Sequence, residues 1–283
     1  MIRYERDAEA LKNYVKFLRD NKKSFVVRHG TYTTTIETEH GKNKYETHQF
    51  NDRVFIAAAM IRKDVVNSVV GKQIMEATHE KINFGHHQKL EPFNAKEVLN
   101  IDISGAYASC LYVNGLITDK TFKYLKKLRK EERLPSVGML AKSACLWKYE
   151  NGECVDIIVE RSKTAQVFFY LIEEINYVMR GIQWELGKHF YFYWVDGVFF
   201  SKSTPKHLIT NVENLLISKN YQFKYEEVTN FKLSKNKKSV FTIDMIKNGE
   251  FKKYQFQDGN NGKEISTYLQ ELVNEKELSH ILN

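Results

Sequence analysis

Two aspartates end apolar runs in positions suited to metal-assisted phosphoryl chemistry. In Asn100-Ile101-Asp102-Ile103-Ser104-Gly105-Ala106-Tyr107-Ala108-Ser109 an acidic residue closes an apolar stretch, and a small-residue turn leads on to a tyrosine. A carboxylate at a strand end, beside a glycine that admits close backbone approach, can hold a metal near a phosphate. Phe192-Tyr193-Trp194-Val195-Asp196-Gly197-Val198 delivers a second aspartate into a tight turn. Transfer of a nucleotidyl group from a triphosphate needs in-line geometry and neutralisation of charge, which two carboxylate-held divalent cations supply. Asp102 and Asp196 are far apart in sequence, so only the fold can unite them, as adjacent strands of one sheet would. Taken singly, each also fits an ordinary turn acid, because aspartate favours turns.

The elements that must position these acids are readable as alternating patterns. Ala8, Leu11, Val15 and Leu18 recur at helical spacing, and Ser24 to Glu37 is rich in Val, Thr and Tyr, as strands turning near Gly30 would be. One or two helices are expected from Arg53 to about Glu80, a helix from Asp119 to Arg133 that Pro135 breaks or kinks, and a strand from Val155 to Glu160. Lys163 to Arg180 has helical periodicity with Gly181 as its stop. An aromatic strand from His189 to Val195 then turns at Asp196-Gly197 into a returning strand, Val198 to Ser201. A helix from Thr204-Pro205 to about Lys219 and strands at 221–229 and 239–246 complete the pattern. From Val98 the order is strand, inserted helices, strand, helix, hairpin, helix, strand, which matches a split β-α-β arrangement of the ferredoxin-like kind.

The chain has 283 residues, a formal charge of +8 and 42% hydrophobic residues, the composition of a globular protein with room for a sizeable core. The positive balance favours a polyanionic partner. Three cysteines without paired spacing argue against a zinc site or a secreted disulfide framework, so a reducing cytoplasm is the expected setting. Met1 to Asp20 contains no continuous apolar segment, and no membrane association is expected. His29, His86 and His87 lack a third ligand at metal-binding spacing. Glu37 and Glu39 alternate with threonine, as on the wet face of a hairpin.

Asp102-Ile103-Ser104-Gly105-Ala106-Tyr107-Ala108-Ser109 resembles motif A of family B DNA polymerases, particularly the protein-primed branch, with the aspartate, the tyrosine and the final serine in register. Trp194-Val195-Asp196-Gly197-Val198 resembles motif C with its second aspartate kept and Trp194 in place of the first. Lys130, Gly138, Leu140 and Ala141 match motif B, while Leu134, Pro135 and Val137 replace its usual Asn, Ser and Tyr. Asn83-Phe84-Gly85-His86 stands where the family has a template-contacting loop, and Lys237-Lys238-Ser239-Val240-Phe241 stands near its primer-end motif, without the tyrosine. The resemblance covers about Lys81 to Met245.

The resemblance implies an α+β fold: a polymerase palm with a ferredoxin-like β-α-β-β-α-β antiparallel sheet. It divides the chain into a small N-terminal α+β region (1–80), a pre-motif loop and first palm strand (81–113), reduced helical fingers (114–147), the palm (148–245) and a small thumb-like region (246–283). It implies a minimal, exonuclease-lacking DNA polymerase or primase-polymerase using dNTPs and two Mg2+ or Mn2+ ions on Asp102, Asp196 and the carbonyl of Ile103. Nucleotide contacts would fall to Ser104, Gly105, Tyr107, Lys130 and Gly138, with Tyr107 under the sugar. Template and primer DNA would meet Phe84, Gly85, His86, Lys237 and Lys238, and so small a grip on duplex suggests an accessory replication protein. Tyr107 also fits a half-buried core tyrosine, and Lys126, Lys127, Arg129 and Arg133 are cations as suitable as Lys130. The eroded motif B and Trp194 leave a second reading open, a non-catalytic palm-derived module for nucleic-acid binding or replisome assembly.

Overall fold

The computed structural model describes residues 3–30, 33–46, 51–77, 91–236 and 240–257. In chain order they form α1 (Arg3–Asp20), β1 (Phe25–Gly30), β2 (Thr33–Thr38), β3 (Gly41–Glu46), α2 (Asp52–Asn67), α3 (Val69–Glu76), β4 (Phe93–Ile103), α4 (Ala106–Val113), α5 (Asp119–Lys126) and α6 (Lys130–Gly138). Then follow β5 (Ser143–Glu150), β6 (Glu153–Arg161), α7 (Ala165–Leu186), β7 (Phe190–Trp194), β8 (Gly197–Ser201), α8 (Lys206–Ser218), β9 (Phe223–Lys235), β10 (Val240–Lys247) and β11 (Glu250–Gln257). The fold is α+β with two antiparallel sheets, and the chain divides into two compact units interleaved in sequence.

The first unit draws its described residues from Met1–Arg62 and Lys130–Ala165. Its sheet has the order β3-β2-β1-β5-β6. Leu11, Val15 and Leu18 lie one helical turn apart on α1 and pack with Phe25, Val27, Ile36, Cys145, Trp147 and Tyr149, so the helix covers one face of this sheet. Phe25 and Tyr149 are cross-strand partners whose rings stack at 4.3 Å. The β2–β3 hairpin explains Glu37, which pairs with Lys42 at 2.8 Å on an exposed surface. Strand β6, expected to join the sheet of Asp102, belongs to this sheet instead, because β5 buries Cys145, Trp147 and Tyr149 against the α1 core and β6 pairs with β5.

The second unit comprises Lys63–Arg129 and Gln166–Gly262. Its sheet has the order β11-β10-β9-β4-β8-β7, every neighbour antiparallel, with β4 inside it. On β4 and β8, Ile101, Ile103, Val198 and Phe200 are buried on one face, while Asn100, Asp102 and Gly197 lie on the other. Along β9 the buried residues switch from Glu226 and Val228 to Phe231 and Leu233, across Asn230 at φ 52°. One extra residue there keeps the apolar residues on one face, as a bulge does.

Several local expectations are corrected. The helix from Asp119 to Arg133 is two helices, because Lys127 and Leu128 close the end of α5 with tighter bonds to Tyr124 and Leu125. Pro135 does not end a helix but sits inside α6, where only one intrahelical donor is lost. Gly181 does not stop α7. A Cβ there would meet Leu215 Cδ2 at 3.1 Å, so the glycine admits α8 against α7. Strands β3, β5 and β11 were not expected. The last adds an edge to the second sheet within the stretch read as thumb-like.

Candidate functional site

The pairing of β4 with β8 brings the two candidate aspartates to the same sheet end. Asp102 is the register partner of Gly197, the residue after Asp196, and the Ile103 N–H donates to the Asp196 carbonyl at 3.0 Å. Trp194 pairs with Gly197, so the central residues of the hairpin turn are Val195 and Asp196 rather than Asp196 and Gly197. Val195 has φ 54°, a left-handed conformation uncommon for a β-branched side chain, and such outliers persist where the surroundings enforce them. Gly197 is needed for space. A Cβ would lie 3.1 Å from Asn100 Oδ1 and 3.5 Å from Asp102 Oδ1.

Strand β9 supplies the charge around Asp102. Lys224 is the register partner of Asp102 and Glu226 that of Asn100, so all four share one face. Lys224 Nζ lies 3.5 Å from Asp102 Oδ2 and 2.7 Å from Glu226 Oε1. Glu226, only 8% exposed, also accepts from Asn100 Nδ2 at 2.9 Å and is paired with Lys247. The two carboxyls are consequently unlike. Burial raises that of Asp102, and the Glu226 charge adds to the rise while Lys224 and Lys247 oppose it. Burial acts on Glu226 too, but hydrogen bonds from Lys224 and Lys247 outweigh it and hold that carboxyl below its ordinary value.

Tyr107 completes a cluster around the hairpin. It lies in the first turn of α4, which Gly105 opens in the left-handed conformation at φ 60° and ψ 47°. Its ring stacks on Phe168 at 6.2 Å, and its phenol is pushed up to about 12 by burial and then by the charges of Asp196 and Cys110. Ser104 is held by its N–H to the Gln222 carbonyl at 2.8 Å, and its own carbonyl accepts from Ser109 Oγ at 2.8 Å. The last serine of the motif therefore ties the turn to the helix. The Ile103 side chain is buried.

Lys130 and Gly138 begin and end α6 in the first unit. Phe84, Gly85, His86, Lys237 and Lys238 lie outside the described residues. Sequence reasoning missed Asn100, Lys224, Glu226 and Lys247. A signal was present in Lys224-Tyr225-Glu226, two opposite charges at strand period, but it became specific only once β9 lay beside β4.

Asp102 and Asp196 offer oxygen donors of the type that hard divalent cations take. Among the described residues no group of three or more His, Cys, Asp or Glu side chains is arranged to hold a metal. Two carboxylates suit a magnesium ion that takes its other ligands from substrate phosphates and water, and Glu226 at 2.7 Å remains as a partner for Lys224 if a cation takes Asp102. No described helix is long and apolar enough to cross a membrane. No protein-family model matches the chain, and comparison with curated proteins finds no significant match.

Proposed function

We propose that this protein is a metal-dependent nucleotidyltransferase, a minimal palm-type DNA polymerase or primase-polymerase that extends a primer with dNTPs. The observation that carries the reading is the junction of β4 with the β7–β8 hairpin, where the Ile103 N–H meets the Asp196 carbonyl at 3.0 Å and Asp102 stands opposite Gly197. Strand order supports it as well. With α7 before β7 and α8 before β9, the order β9-β4-β8-β7 is that of a split β-α-β-β-α-β sheet.

Asp102 and Asp196 would hold the ions, which supply charge neutralisation for a triphosphate and activation of an attacking hydroxyl. The chain's own residues prepare that place. Lys224 and Lys247 neutralise Glu226, so the second sheet can keep a buried carboxylate beside Asp102 without leaving it unpaired. Tyr107, packed on Phe168 and protonated at neutral pH, presents a rigid aromatic surface near Asp196, suited to packing against a sugar.

Primer extension with labelled dNTPs tests the reading. Asp102→Asn and Asp196→Asn should each lower incorporation by about a thousandfold or more, of the order found when a group acting on the transition state is removed. Unchanged incorporation in both variants would sink the mechanism. Omitting template and primer separates templated synthesis from terminal or protein-primed transfer.

A second reading, a non-catalytic nucleic-acid-binding or replisome-assembly module, is favoured by the Lys224–Asp102 pair, which satisfies the acid from within the chain. Salt-dependent DNA binding by the purified protein, with no incorporation under either Mg2+ or Mn2+, would select it.

A further inference from the structure

The face of the first unit's sheet opposite α1 gathers cations. Arg28 of β1 pairs in register with Thr35 of β2, which in turn pairs with Lys44 of β3, so Arg28 and Lys44 flank one threonine in a cross-strand row. Lys142, immediately before β5, lays its stem over Gly30, with its Cε 3.8 Å from where a Cβ would stand. Arg62 of α2 lies within Coulombic range of Lys142. Partial burial and then the charges of Arg62, Arg28 and Lys44 hold the Lys142 amine below the usual lysine range. Against these four cations the ion pairs of the described residues place one carboxylate, Glu160, 2.6 Å from Arg28.

The row continues from Arg28 to Leu146 and then to Ile158, which is 38% exposed. Lys142 reaches over Gly30 of β1, within Coulombic range of Lys44, Arg28 and Arg62, so the four cations cluster and, against one paired carboxylate, carry more positive charge than a single phosphate balances. A ligand must therefore carry several phosphates. It must also offer apolar surface to Leu146 and Ile158, which unpaired bases do and a duplex, with its bases stacked inside, does not. We propose that this face, through Arg28, Lys44, Arg62 and Lys142, binds the phosphodiester backbone of a single-stranded nucleic acid.

Binding at this face is independent of the chemistry proposed at Asp102, and it is measured without nucleotide incorporation. The full chain is titrated into a fluorescent oligothymidylate of about 20 nucleotides at several salt concentrations, and anisotropy gives the affinity and its salt slope. The triple variant Lys44→Gln/Arg62→Gln/Lys142→Gln should bind at least tenfold more weakly near 0.1 M salt. Its slope of log affinity against log salt should be shallower by roughly 2, at about 0.7 per phosphate contact on a single strand. Lys44→Arg/Lys142→Arg should bind as wild type does, and Glu160→Gln, which frees Arg28, should bind about threefold more tightly. Asp102→Asn/Asp196→Asn should leave strand binding unchanged, which separates this inference from the enzymatic reading. Wild-type affinity and slope in the triple variant would overturn the proposal. So would a loss of duplex affinity in the triple variant as large as its loss for single strand, or tripolyphosphate bound as tightly as the oligonucleotide. Should the triple variant fail to fold by circular dichroism, the arginine and Glu160 variants decide, and no change on Glu160→Gln overturns the proposal.

Discussion

Around the first unit's sheet Arg28, Lys44, Arg62 and Lys142 cluster with one carboxylate, Glu160, ion-paired among them, whereas on the second unit's sheet Lys224 and Lys247 are interleaved with Asp102 and Glu226. The two regions use the same strand geometry for different ends. On β9 the two-residue period puts Lys224 and Glu226 side by side, opposite Asp102 and Asn100, so charge is balanced within the sheet. Across β3, β2 and β1 the same alternation lines up like charges, with Thr35 between them. A balanced network holds acids in place; an unbalanced one draws an anion from outside.

The strongest way to break this contrast is to remove the acids themselves. Asp102→Asn and Asp196→Asn, expected to abolish primer extension, should leave the folded state intact, since Lys224 keeps Glu226 as its partner. Next in size is Glu226→Ala, which leaves Asn100, Lys224 and Lys247 without their shared acceptor. A loss of about 2 kcal/mol in urea unfolding is expected, below the range for a fully buried pair because Lys224 is half exposed. A stability within error of wild type would show that the network does not hold the site.

Gly197→Ala probes the close packing at the acidic end. Its Cβ at 3.1 Å from Asn100 Oδ1 should cost about 1 to 2 kcal/mol and reduce incorporation as well, because Asn100 is fixed by Glu226. Gly181→Ala is the control. There the neighbour is the movable end of Leu215, and the gain in helix propensity should leave stability near wild type or slightly above it.

A smaller loss than that of Glu226→Ala tests a carboxylate that serves only the fold. Asp64 accepts from the Thr118 N–H at 2.8 Å and from Thr118 Oγ1 at 2.7 Å, at the start of α5. Burial pushes its carboxyl up, but the hydrogen bonds of Thr121 and Thr118 prevail and lower it. A lowered carboxyl stabilises the fold above its unfolded value and ceases to do so as pH falls through its folded value. Asp64→Ala should therefore cost about 1 kcal/mol at neutral pH and progressively less below about pH 4, measured by thermal unfolding across pH. A cost that did not change with pH would assign it to packing.

The sequence by itself determined the locally encoded parts. Apolar spacing set α1, α7 and α8, alternation set β1, β2 and β7, and the acid at each run's end marked Asp102 and Asp196. It also indicated that a hairpin follows the aromatic strand, but misplaced the turn by one residue. A glycine beside an aspartate reads as a turn signal, and here its missing Cβ makes room for Asn100 and Asp102 on the next strand. Gly181 misled for the same reason: its place within α7 answers to a contact on another helix, where Leu215 Cδ2 lies 3.1 Å from the position of a Cβ. The tertiary structure alone decided that β6 joins the first sheet, that β9 lies beside β4, and that Lys224, Glu226 and Asn100 surround Asp102. Periodicity reports which face of a strand is buried, but not which strand lies next to it, and the charges around a carboxylate depend on that neighbour.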